Sequence, residues 1–177
     1  MAAAVVFLPG SDAIPGVRDS KTLSAERRAA LDLEIRRRAL AVGVGAASVR
    51  EIDALNIRRA TALAMRRAVL RVQRLIGARP ARLLLDGLPM PEVGVLHQAL
   101  VDGDALCHSI AAAGIVAKEL RDALMARLAA RHTAYAWASN RGYGTAAHLD
   151  ALRTHGATRH HRTTFAPVSQ LDAFRGR

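Results

Sequence analysis

At 177 residues and 51% hydrophobic composition, the chain can build one domain with a real core, which excludes an intrinsically disordered protein. A net charge of +11 favours a polyanionic partner, with nucleic acid the commonest, while codon bias toward arginine is the plain alternative, since all 26 basic residues except Lys21 and Lys118 are Arg. The single cysteine, Cys107, excludes an internal disulfide framework and reads as a small buried apolar residue.

The run Ala2 to Leu8 is a continuous apolar strand closed by Pro9-Gly10. It is short and lacks a basic leader, and no stretch approaches the ~18 apolar residues of a membrane span. A cytoplasmic protein with no membrane partner is therefore expected. Residues 11–21 read as a loop. Ser24 caps a helix from about Ala25 to Ala41 whose inner stripe carries Leu31, Ile35 and Ala39. A short strand follows at Val42 to Gly45. Ser48 and Glu51 form a capping box that opens a short helix, and a longer one runs from about Ile57 to Ile76. Its inner face holds Ala60, Thr61, Ala64, Met65, Ala68, Val72 and Leu75, and Gly77 and Pro80 end it.

Arg82 to Leu85 is a strand terminating at Asp86-Gly87, and a second strand covers Leu96 to Val101. Asp104 to about Arg131 is mostly helix. Thr145 caps a last helix ending at Gly156. Strands alternating with helices point to an α/β layered architecture, read as a single domain over 1–177 with a helical C-terminal portion from about 104.

Several residues could carry chemistry. Asp86 ends an apolar strand beside a turn glycine, where α/β folds place sites; a turn aspartate bonding its own backbone is the equal alternative. Lys118 and Asp122 are four apart on a helix and share a face, as a site pair or as an ordinary surface ion pair. Asp19-Ser20-Lys21 is a compact polar triplet of the kind that holds phosphates. Lys21 and Lys118 supply point charges that Arg does not mimic in a tight site. Tyr143 sits between Gly142 and Gly144, presented toward a flat partner or packed as a turn tyrosine. His108, His148 and His155 read as solvated helix positions, and His160 and His161 as structural or phosphate-facing. No zinc spacing, Ser-His-Asp arrangement or phosphate-binding glycine loop is visible.

In order and spacing, these segments resemble ribonuclease HII. The resemblance rests on Asp19-Ser20-Lys21-Thr22-Leu23-Ser24, Glu51-Ile52-Asp53 with Asn56-Ile57, and Leu85-Asp86-Gly87 with Gly103-Asp104. It continues through Ser109-Ile110-Ala111-Ala112-Ala113, Ala117-Lys118, Arg121-Asp122, Gly142-Tyr143-Gly144-Thr145 and His161-Arg162, covering residues 2 to about 168. The family implies a ribonuclease H-like fold, a central mixed sheet flanked by helices, and two-metal hydrolysis with Mn2+ or Mg2+. Two of its four acidic positions carry over, onto Asp86 and Asp122. Ser20, Lys21, Lys118 and Tyr143 match substrate-binding positions, Tyr143 that of the tyrosine packing on the sugar. The implied function is endonucleolytic hydrolysis of the RNA strand of RNA–DNA hybrids and of ribonucleotides embedded in duplex DNA, by a monomer.

Two departures accompany the resemblance. The family's D-E-x-G-R-G motif, which supplies the other two carboxylates, has no counterpart here, and its strand is the first of the sheet. The expectation is a truncated chain of little or no activity, with an apolar edge bared around Ala4 to Phe7. Its alternative is a non-catalytic nucleic-acid-binding remnant of the same fold. Gly114 also stands where the family carries serine.

Overall fold

The computed structural model describes residues 1–80 and 82–171. In chain order, β1 is Ala2–Val6, α1 Ala25–Arg38, β2 Ala41–Gly45, α2 Val49–Ile76, β3 Leu84–Asp86 and β4 Gln98–Leu100. The helical remainder comprises α3 (Gly103–Leu106), α4 (His108–Arg131), α5 (Trp137–Asn140) and α6 (Ala146–His155). Helix α2 is interrupted at Asn56, whose φ of 69° breaks the ladder. The described residues divide into two compact units, one of residues 1–47 and 58–120, the other of residues 48–57 and 121–177 less the undescribed tail.

In the first unit, β1 and β2 form an antiparallel ladder from Ala2 opposite Gly45 to Val6 opposite Ala41. β3 and β4 form a parallel ladder, Leu84 opposite Gln98 and Asp86 opposite Leu100. Among the described residues the sheet expected from the sequence is thus two separate two-stranded ladders. The second is only three residues long, because Leu96 faces solvent rather than a partner strand (95% exposed).

Helix α1 begins where expected, with the Ser24 hydroxyl accepting from Arg27 N–H. It buries Leu31 and Ile35 against Ile14, Leu23, Ala112, Ile115 and Val116, with Val5, Phe7, Val42 and Val44 packed on this cluster. A smaller cluster holds Ala62, Leu85 and Val93. Residues 58–76 of α2 bury Ala60, Ala64, Ala68 and Val72, but Leu75, expected inside, is exposed. The small side chains have a partner on β2: a Cβ at Gly43 or Gly45 would overlap the Ala68 or Ala64 carbonyl oxygen. Helix and strand backbones come close only because both positions lack one.

In the second unit, the Ser48–Glu51 capping box is formed, with Ser48 N–H donating to Glu51 at 2.8 Å and Glu51 N–H to the Ser48 hydroxyl at 3.3 Å. Thr145 caps α6 as expected, and Gly156 closes it with φ 74°. The core of this unit is Ala129, Tyr135, Trp137, Ala151 and Leu152.

Candidate active site

In the first unit, the structure brings Asp86 together with a carboxylate that the sequence reading quoted but did not assign, Asp104. The parallel β3–β4 pair ends at Asp86 and Leu100, and Gly87 N–H closes the ladder on Leu100 C=O at 2.8 Å. The chain after β4 then turns through Asp102 (φ 54°) into α3. Gly103 N–H donates to Asp86 Oδ1 at 3.0 Å. Gly103 is buried here, and a Cβ would press on Ile110 at 2.8 Å and on Asp86 Oδ1 at 3.2 Å. Glycine therefore lets the backbone lie beside the carboxylate and carry the next residue to it.

That next residue is Asp104. Partial burial raises its carboxyl above the ordinary carboxylate range, and the negative charges of Asp86 and then Asp19 raise it further, against the opposing pull of Lys21. Three acidic groups and one ammonium thus share a field. Asp19 is fixed by a short 3-10 turn, its Oδ1 accepting from Lys21 N–H at 3.0 Å and its carbonyl from the Thr22 hydroxyl at 2.8 Å. The buried Arg28 guanidinium holds this turn from behind, reaching Ser20 C=O at 3.4 Å, Leu23 C=O at 3.3 Å and Glu119 on α4 at 2.5 Å. A Cβ at Gly114 would stand 4.0 Å from Ser20 Oγ, so the α4 face one turn before Lys118 borders Ser20. Ser20, Lys21, Asp86 and Lys118 of the sequence reading all lie in this unit.

Asp122 and Tyr143 lie in the second unit. Arg121 Nη1 meets Asp122 Oδ1 at 3.4 Å. Tyr143 is 65% exposed, with the Arg121 guanidinium 5.4 Å from its ring centroid. Arg141 (φ 51°) and Gly142 (φ 84°) turn the chain to present it.

The sequence reading missed how this unit is held. His148, expected in solvent, is buried (6% exposed), and so is His161. In the first unit, His108 is half-buried and accepts Ile14 N–H at 2.9 Å, so of the three histidines expected in solvent only His155 is exposed. Cys107, expected buried, is also half-buried. His148 shares the inner stripe of α6 with Ala151 and Leu152, but the groups that satisfy its ring nitrogens lie outside the helix. Asp53 was missed as well. Its carboxylate accepts from the N–H and hydroxyl of Thr163 (3.0 and 2.8 Å) and of Thr164 (3.2 and 2.8 Å). The Thr163 N–H bond is the largest cause holding its carboxyl down at about 2.

Carboxylate oxygens suit hard divalent cations, and a carboxyl raised by partial burial and by a neighbouring carboxylate, as Asp104 is, is a place where a cation is favoured. Among the described residues, however, no group of three His, Cys, Asp or Glu side chains is arranged to hold a metal ion. Asp86 and Asp104 offer carboxylate oxygens of the kind such cations take, one side chain short of such a group. No described helix is long and apolar enough to cross a membrane.

Comparison with known proteins identifies the family. The family model for ribonuclease HII matches residues 1–168. The ribonuclease HII of Sphingopyxis alaskensis is 52% identical over 171 residues, covering 97% of this chain and 83% of that protein. That of Rhizorhabdus wittichii is 49% identical over 172 residues, with the same two coverages, 97% and 83%. Among solved structures, the ribonuclease H2 from Pyrococcus horikoshii OT3 superposes with a TM-score of 0.73 at 20% identity, over 92% of this chain and 83% of that one. That likeness establishes the ribonuclease H-type α/β fold, and the sequence matches establish that this chain belongs to the ribonuclease HII family of endoribonucleases.

Proposed function

We propose that this chain recognises RNA–DNA hybrids and duplex DNA carrying embedded ribonucleotides, and that Asp86 and Asp104 hold a divalent cation, Mn2+ or Mg2+, at the scissile phosphate. The observation that carries this reading is Asp86 at the carboxyl end of a parallel strand pair with Asp104 brought beside it by the following helix, partial burial and then the Asp86 charge raising the Asp104 carboxyl. A divalent cation there supplies charge stabilisation at the phosphoryl oxygen and an acidified water. The chain's own groups do the rest. Gly103 N–H orients the Asp86 carboxylate. Lys21 and the Ser20 hydroxyl, set by the Asp19 turn, bind phosphate oxygens, as does Lys118 from α4. Tyr143 offers an exposed ring to a sugar or base.

Asp122, carried over by resemblance, is retained as a further proposed carboxylate of the site. The test is cleavage of a duplex bearing one embedded ribonucleotide, with Mn2+ or Mg2+ added, by the parent chain and by Asp86→Asn, Asp104→Asn and Asp122→Asn. Metal-dependent cutting that Asp86→Asn and Asp104→Asn abolish supports the reading, and Asp122→Asn decides that residue's membership. Two facing carboxylates are fewer than two-metal chemistry uses, which favours a second reading in which residues 1–177 alone bind hybrid but cut it weakly. Salt-dependent binding without cleavage is its signature.

A further inference from the structure

The turn that presents Tyr143 is tied to a buried histidine pair by a hydrogen-bond relay with only one consistent set of protons. Thr158 N–H donates to His161 Nδ1 at 2.9 Å, so neutral His161 carries its proton on Nε2. That Nε2 lies 3.2 Å from His148 Nε2, which also receives the Trp137 indole N–H at 3.4 Å. With Nε2 of His148 accepting, its proton is on Nδ1, 2.9 Å from the Tyr143 carbonyl oxygen. The same carbonyl accepts Thr145 N–H at 2.9 Å, and Tyr143 N–H donates to Asn140 C=O at 2.8 Å. Asn140, itself buried, binds Gly142 N–H through Oδ1 and Tyr135 C=O through Nδ2, both at 2.8 Å. Both backbone polar groups of an exposed tyrosine are therefore fixed from the interior, while its ring is left 65% exposed.

We infer that His161 and His148 are positioning residues for substrate: His161 orients the His148 ring, and His148 holds the Tyr143 backbone so that the ring meets the sugar of the bound strand in one fixed pose. This inference rests on the proposed role of Tyr143. A ring fixed before binding avoids an ordering cost on association, so loosening the turn weakens substrate binding without removing any contact. The device differs from an ordinary buried polar pair in its direction. Every donor from Thr158 to His148 points toward Tyr143, and the far end of the relay is a surface group with no role in the core.

Substitutions at His148 separate the two nitrogens. In His148→Asn the amide takes the place of Nδ1 and keeps a donor for the Tyr143 carbonyl. In His148→Gln it takes the place of Nε2 and loses that donor. Binding of a fluorescently labelled duplex with one embedded ribonucleotide is measured without cleavage, in Ca2+, for each variant in the parent and Tyr143→Ala backgrounds. The expected result is about fivefold weaker binding for His148→Gln, near-parental binding for His148→Asn, and no further loss from His148→Gln once Tyr143→Ala is present. His161→Asn, which keeps the acceptor for Thr158 N–H and drops the Nε2 donor, is the second variant should His148→Gln melt early, and it is expected to couple to Tyr143 in the same way. Equal losses for the Asn and Gln variants, or losses that persist undiminished beside Tyr143→Ala, would overturn the relay while leaving Tyr143 its role. No effect of Tyr143→Ala itself would overturn both.

Discussion

The acidic corner around Asp86 and the histidine cluster around Trp137 both gather titratable groups, and they treat them in opposite ways. At the corner, Asp104 is brought toward Asp86 and Asp19, and partial burial and then these like charges raise its proton affinity. In the cluster, His148 and His161 are buried and given partners for all their ring nitrogens, with His161 driven down to about 4 chiefly by desolvation. The first arrangement is costly until a cation arrives; the second is satisfied within the chain. A concentration of ionisable side chains therefore marks a ligand site only where the fold leaves their charge uncompensated.

Substitutions should pull the two regions apart. The largest effect is expected for Trp137→Ala, which removes a ring stacked 5.2 Å from Tyr135 and opens a cavity in the second core, at about 3–5 kcal/mol of unfolding free energy in a urea melt. Asp86→Asn should leave the melt unchanged and weaken Mn2+ binding about a hundredfold in a titration. A melt lowered by that substitution as far as by Trp137→Ala would erase the contrast between the two regions.

The pH response differs in the same sense. His161 has its folded value lowered to about 4 from 6.5, so an unfolded chain binds its proton first. The cluster's contribution is fully present above about pH 6.5 and is lost progressively as the pH falls toward 4. Asp53, lowered to about 2 from 3.8, loses its contribution in a later step, between about pH 4 and 2. Trp137, the sole tryptophan, stands 5.1 Å from the His161 ring, so its fluorescence reports the first step. His161→Asn should remove that step and spare the second. The smallest effect on stability is expected at Asp104: Asp104→Asn removes a partly buried charge and its like-charge repulsion and should raise stability by up to about 0.5 kcal/mol at neutral pH, while costing Mn2+ affinity as Asp86→Asn does.

What could be read in the sequence followed the range of the interactions. The Ser24 and Thr145 caps, the Ser48–Glu51 box and the ends of α1 and α6 were legible because each is decided within four residues. Gly43 and Gly45 were legible as strand residues but not as the points where β2 admits α2, since that needs the carbonyls of Ala64 and Ala68. Leu75 was misplaced because helical periodicity gives a stripe and not where its partner ends. His148 was read as solvated from its polar type although it shares a helical stripe with Ala151 and Leu152; the groups that bond its ring, Trp137, Tyr143 and His161, lie on separate turns and helices. In the acidic corner, the place of Asp86 at a strand end was legible from the apolar run and the glycine after it. Asp104 was visible in the matching Gly103-Asp104 segment, but its nearness to Asp86 emerges only once Gly103 packs on Asp86, 17 residues away in sequence.

The most direct test of the account is an Mn2+ titration of the parent chain beside Asp86→Asn, Asp104→Asn and Asp122→Asn, read by the free-ion electron paramagnetic resonance signal. The account holds if Asp86→Asn and Asp104→Asn each remove the tightest binding event, with Asp122→Asn showing whether that residue shares it. Parental Mn2+ affinity in both Asp86→Asn and Asp104→Asn would contradict it.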